Sequence, residues 1–231
     1  MKTIGLLGGM SWESSLEYYR IINQAVKARL GDLHSAQCLL YSVDFAEIEA
    51  LQHTGEWEAL TQVMIAAVQR LERGGADGLV ICTNTMHRMA DQVQAAISMP
   101  LLHIANATAA AIKAQGLQTV GLLGTRFTME GDFYRGKLER EHGLRVIIPD
   151  EQERESVHRV IYDELVQGHI REESRQVYLK VIADLAARGA QGVILGCTEI
   201  PLLVKQSDVA IPVFDTTAIH AQAAVDWALE P

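Results

Sequence analysis

The chain is short of the features that mark several large functional classes. It has only three cysteines, Cys38, Cys82 and Cys197, with no CxxC pair and no spacing that suits a metal. A disulfide scaffold and a cysteine-based metal motif are therefore excluded, and each thiol is either core filler or reactive. Basic residues are outnumbered, with 20 Lys and Arg against 29 Asp and Glu, a net charge of −9 and a pI near 5.4. That balance argues against a nucleic-acid partner. No apolar run approaches the roughly 20 residues that span a bilayer. The N-terminus enters a strand-like run at once, with no charged and apolar leader ahead of a cleavage site, so a cytoplasmic protein without a membrane partner is expected. With five prolines, no stretch reads as a flexible linker. The full GxGxxG fingerprint is missing too, which speaks against a dinucleotide site.

What the chain has is repetition. TIGLLGGMS (3–11) is echoed by TVGLLGTRF (119–127), and GADGLVICTNT (75–85) by GAQGVILGCTE (189–199), which sets Thr83 opposite Cys197. A third echo pairs MPLLH (99–103) with IPVFD (211–215). Strand-like runs at 3–7, 37–43, 78–82, 101–103, 119–123, 144–147, 192–195 and 211–214 alternate with helical patterns at 14–29, 56–73, 105–114, 129–141, 173–188 and 218–229. The strands are near-continuous apolar runs, as expected when helices cover both faces of a parallel sheet. The charged segment 150–155 reads as a solvated helix start. The fold class is thus α/β, with two pseudo-symmetric lobes, each a mostly parallel sheet flanked by helices. The echoes divide them at 1–103 and 104–208, with 209–231 expected to pack back on the first lobe.

Ligands of parallel α/β sheets bind beyond the carboxyl ends of the strands. Three loops there have unusual content: Gly8-Gly9-Met10-Ser11-Trp12, Thr83-Asn84-Thr85-Met86-His87 and Gly196-Cys197-Thr198-Glu199. Gly8-Gly9 allows a close backbone approach to a ligand, or simply a tight strand-to-helix turn. Cys197 sits where a helix start would favour the thiolate, or it is a buried structural thiol. Cys82 falls within its apolar run and Cys38 in another, so both read as core. Thr83 is a weak acid and a poor base, yet a hydroxyl can donate or relay a proton; capping a helix is the plainer role. Asn84, Thr85 and Thr198 offer uncharged donors and acceptors for a carboxylate or ammonium group. His87 and His103 either orient a catalytic group or satisfy structural hydrogen bonds. Glu199 either holds the thiol in place or favours a helix start.

At these loops the sequence resembles the aspartate/glutamate racemase family. GLLGGMSWESS is similar to that family's opening GGM-type turn, TNTMH (83–87) to its C-N-T-x-H motif and LGCTEI (195–200) to its G-C-T-E motif, while LLGT (122–125) and PLLH (100–103) also fit. The likeness spans essentially the whole chain. It implies a two-lobe fold with the site in the cleft between lobes, and racemisation of an acidic amino acid without pyridoxal phosphate, metal or other cofactor. In the family one cysteine removes the α-proton while a second delivers a proton to the opposite face.

This chain departs from that pattern in two ways. Anchoring on Asn84-Thr85-x-His87, Thr83 replaces the first cysteine and Cys197 keeps the second. The catalytic pair expected is therefore Cys197 with Thr83, favouring the L-enantiomer kinetically, with His87 and Glu199 in support. The second departure concerns the substrate side chain. Val166 stands where aspartate-specific relatives have a lysine, and no Arg occurs in 45–55. Met10, Ser11, Gln52, Asn84, Thr85, Thr125 and Thr198 are the substrate contacts left to expect. The competing readings are a one-cysteine decarboxylase, a racemase of a different carboxylate, and a weakly active amino-acid-binding protein. A homodimer accords with the resemblance, although no helix shows an apolar surplus to assign to an interface.

Overall fold

The structure, a computed structural model, describes residues 1–230. The chain forms two compact units. The first comprises Met1–His103 together with the chain from His220 onward; the second is Ile104–Ile219.

In the first unit, β1 (Ile4–Gly8), β2 (Cys38–Ser42) and β3 (Gly78–Ile81) form a parallel sheet in the order β2-β1-β3, with Ile4 level with both Cys38 and Gly78. Every residue of β1 is buried, as its unbroken apolar run requires for a central strand covered on both faces. On one face, Leu7, Leu79 and Ile81 cluster with Leu60, Met64, Val68 and Leu71. These four lie along one stripe of the helix Trp57–Arg73 at helical spacing. Each such side chain contributes about 1.5–3 kcal/mol by leaving water. On the other face, Ile4, Leu6 and Val80 cluster with Tyr18, Ile22 and Val26 of the helix Trp12–Leu30 and with Ala221, Ala224, Val225 and Ala228 of the helix Thr216–Leu229. The helix Trp12–Leu30 also carries Trp12, Leu16 and Tyr19 exposed, an apolar stripe that the sequence pattern had not revealed.

In the second unit, β4 (Thr119–Gly124), β5 (Arg145–Ile147), β6 (Val193–Gly196) and β7 (Val213–Asp215) form a parallel sheet in the order β5-β4-β6-β7. The sequence echoes are echoes of topology. Leu101 bridges Leu79 beside β3, as Val213 pairs with Val193 beside β6. The expected strand at 101–103 amounts only to that bridge. The segment 209–231 does not act as one piece: β7 pairs with β6 in the second unit, and the chain joins the first unit from His220.

Local chemistry explains other boundaries. The helical pattern at 129–141 is two helices, Arg126–Glu130 and Asp132–His142, because Gly131 between them is extended. Glu151–Asp163 opens with a reciprocal capping box between Asp150 and Glu153, matching the helix start read at 150–155. The helix Phe45–Thr54 was not anticipated; Asp44 caps its start and left-handed Gly55 its end. No described helix is long and apolar enough to cross a membrane.

Candidate active site

In the first unit the carboxyl ends of neighbouring β1 and β3 bring two of the three loops together. Gly9 takes a positive φ of 93°, and a Cβ there would strike the Val43 backbone, so the turn demands glycine. Beyond it, buried Met10 and Ser11 lead into the helix Trp12–Leu30, whose first N–H groups Ser11 caps through Ser14 N at 3.4 Å. Two further serines stitch the loops: Ser15 Oγ accepts from Gly9 N at 2.8 Å, and Ser14 Oγ donates to Cys82 O at 3.0 Å. Thr83 is partly exposed, while Asn84, Thr85 and His87 are buried. His87 donates through Nδ1 to the Thr83 carbonyl at 2.8 Å. Burial, together with neighbouring His103 and His220, holds the His87 pKa well below the ordinary range, so its ring is neutral. Gln52 is buried and donates to Met86 Sδ at 3.2 Å, which places it against the same loop. Cys82 is fully buried and burial raises its pKa strongly; burial also pushes Cys38 up to about 11. Cys82 is a core thiol, as its place in an apolar run suggested, and half-buried Cys38 packs against the same core.

In the second unit β4 and β6 run side by side, Gly124 level with Gly196, so Thr125 and Cys197 leave the sheet as neighbours. A Cβ on Gly124 would lie 2.8 Å from Gly196 O, and one on Gly196 2.8 Å from Leu123 O, so the strands close to this distance only with glycine in both places. Thr125 caps the helix Arg126–Glu130 through Thr128 N. Glu199 is 3% exposed, and its Oε2 accepts from Cys197 Sγ at 3.0 Å and from Thr198 Oγ1 at 2.8 Å. Burial and this carboxylate push the Cys197 pKa well above its ordinary value. The expected thiolate-favouring helix start is thereby corrected. The helix that follows, Ile200–Leu203, is a single turn, and the full negative charge of Glu199 outweighs its weak dipole. At rest the thiol is protonated and aimed at a carboxylate that can take its proton.

A family model for Asp/Glu/hydantoin racemases matches residues 7–224. The chain belongs to this racemase family. It is 58% identical to a putative Asp/Glu racemase from Yersinia pestis, with full coverage of both chains and a TM-score of 0.93. It is 36% identical to an aspartate racemase homologue from Pyrococcus horikoshii OT3, again over both whole chains, with a TM-score of 0.86. The broad specificity amino-acid racemase RacX of Bacillus subtilis is 24% identical over 227 residues, 96% of each chain.

As a member of the racemase family, the chain has its residues of interest in two sets. Met10, Ser11, Gln52, Thr83, Asn84, Thr85 and His87 gather in the first unit, and Thr125, Cys197, Thr198 and Glu199 in the second. Val166 lies in the short turn Leu165–Gln167, packed against the second core. Sequence reasoning missed Ser14, Ser15, Tyr18 and His220. The two serines had a usable signal, small hydroxyls in the first helical turn after a Gly-Gly bend. Tyr18 and His220 lie 202 positions apart, and only the fold makes them neighbours.

Proposed function

We propose that this protein is a cofactor-independent racemase of aspartate or glutamate that works mainly from the L-side. The observation that carries the reading is the Cys197 thiol donating to the buried Glu199 carboxylate at a strand end. Inversion needs a base on one face of the α-carbon and an acid on the other. Cys197 is the base for the L-enantiomer. Its proton passes to Glu199 as the sulfur takes the α-proton, so the thiol is regenerated and the carboxylate holds one proton. Thr83 gives its hydroxyl proton to the opposite face of the planar carbanion, and solvent restores both groups. A carbanion is basic enough to take a proton from an alcohol, but an alcohol is a poor base for the reverse step.

The equilibrium constant between enantiomers is one, so kcat/KM is equal in the two directions. The asymmetry therefore lies in kcat and KM taken singly, and in exchange. With L-substrate in D₂O, the Cys197 thiol trades the captured proton for a solvent deuteron and returns that to the same face, so loss of the α-proton runs ahead of inversion. With D-substrate it does not. Ser11, Gln52 and Thr125, with backbone N–H groups, are the candidates to hold the side-chain carboxylate in place of basic residues. Proton NMR of all four substrates in D₂O, followed by chiral analysis, tests the reading. Exchange and inversion with L-substrate support it. Exchange with retained chirality would remove Thr83 from the mechanism, and no exchange would favour a decarboxylase or a binding protein.

A further inference from the structure

The repeat allows each position in one unit to be compared with its counterpart. Tyr18 has an equivalent in Tyr134, and His220 has one in Thr108. In the second unit the pair closes on itself: Tyr134 OH donates to Thr108 Oγ1 at 3.3 Å, and Thr108 donates back to Ile104 O of its own helix at 2.9 Å. In the first unit the histidine reaches further. Its ring, 0% exposed, has Nε2 at 2.6 Å from Leu102 O and Nδ1 at 3.0 Å from Tyr18 OH. A carbonyl only accepts, so Nε2 carries the hydrogen and Nδ1 accepts from the tyrosine. One tautomer is thus fixed by partners at both ends.

The next residue after that carbonyl is His103. Its ring centroid lies 4.6 Å from that of His87, and the His220 ring centroid lies 5.8 Å from that of His87. His87 in turn donates to the carbonyl of Thr83. The counterparts of His87, His103 and His220 in the second unit are Pro201, Asp215 and Thr108, none of them an imidazole. Three histidines are therefore packed behind the loop of the unit that lacks the thiol. Packing alone does not call for them, since the second unit closes the same fold without any.

We infer that His220 is a positioning residue for the Thr83 half of the reaction: through Leu102, His103 and His87 it fixes the backbone from which Thr83 delivers its proton. A weak acid depends more on placement than a good one does, because it has little driving force to spend on reaching the carbanion. This inference rests on the racemase reading. Its signature is the partition of the carbanion formed from L-substrate, which either recovers a proton from the Cys197 side or is protonated from the Thr83 side.

The test measures both α-proton exchange and inversion of L-aspartate and L-glutamate in D₂O for the parent protein and for His220→Phe, His220→Gln and Tyr18→Phe. His220→Phe is expected to lower the inversion-to-exchange ratio by about tenfold while exchange persists. His220→Gln, whose amide can still donate to the Leu102 carbonyl, should recover most of the ratio. Tyr18→Phe removes one hydroxyl and keeps the ring, so it should shift the ratio the same way by less, and it stands in if His220→Phe does not fold. A purely structural role would lower exchange and inversion together and leave their ratio unchanged. That result would overturn the inference while leaving the racemase reading intact. A parent protein showing neither exchange nor inversion would overturn both.

Discussion

The two units share a strand order, a register and a buried tyrosine, yet they differ in the chemistry set on the same frame. The second ends β6 with a thiol against a buried carboxylate, a pair that can move a proton by itself. The first follows β3 with a hydroxyl, whose residue accepts through its backbone carbonyl from His87, itself packed against His103. A duplicated frame can therefore hold unequal halves, because what closes the core is independent of the residue that leaves the strand. The unit with Thr83 at the repeat position also carries His87, His103 and His220, where the second unit has Pro201, Asp215 and Thr108.

The bluntest way to break the comparison is to remove the thiol. Cys197→Ala is expected to lower both exchange and inversion at least about a thousandfold, because no described group in either loop replaces the base; near-normal turnover would sink the assignment. Next comes Glu199→Gln, which separates two readings of the pair. The carboxylate raises the thiol pKa, so its loss brings that pKa down and would increase activity if resting thiolate were the base. If Glu199 is the proton acceptor, the rate instead falls by about a hundredfold, as read from the initial rate of α-proton loss.

A third variant evens the halves. Thr83→Cys supplies a usable base to the first unit, and α-proton exchange of D-substrate should rise by about tenfold or more. Unchanged D-substrate exchange would mean that position 83 does not face the α-carbon. The smallest effect concerns stability. Burial lowers the His220 pKa from 6.5 to about 4, and His87 shifts in the same direction. Between these values the unfolded chain binds a proton that folded His220 refuses, so stability falls as pH drops from 6.5 and the loss is complete below about 4. His220 contributes about 3 kcal/mol to that loss. Denaturant unfolding across this range should show it, and His220→Gln should flatten the slope.

Much of this asymmetry could be read from the sequence. The apolar runs of β1, β4 and β6 stand out because strands buried on both faces cannot alternate. The repeats alone align Thr83 with Cys197. The resemblance to acidic amino-acid racemases agrees with the family match. Other features depended on three dimensions. The state of Cys197 is set by a carboxylate two residues on, whose burial no local pattern reveals, and a helix-start argument gave the opposite sign. The strand at 101–103 looked like its echo but keeps a single bridge. Tyr18 and His220 lacked any local signature, since their meeting is a property of the fold alone.

The division of the chain also sets an order of assembly. Residues 104–219 form a continuous unit that can close its core as soon as it has been synthesised. The first unit, although begun earlier, lacks Ala221, Ala224, Val225 and Ala228 from one face of its sheet until the last helix emerges. Until then Ile4, Leu6 and Val80 have only Tyr18, Ile22 and Val26 of the helix Trp12–Leu30 against that face. The first unit is thus completed only after the second, and the nascent chain carries one partly covered sheet face until the helix Thr216–Leu229 is made.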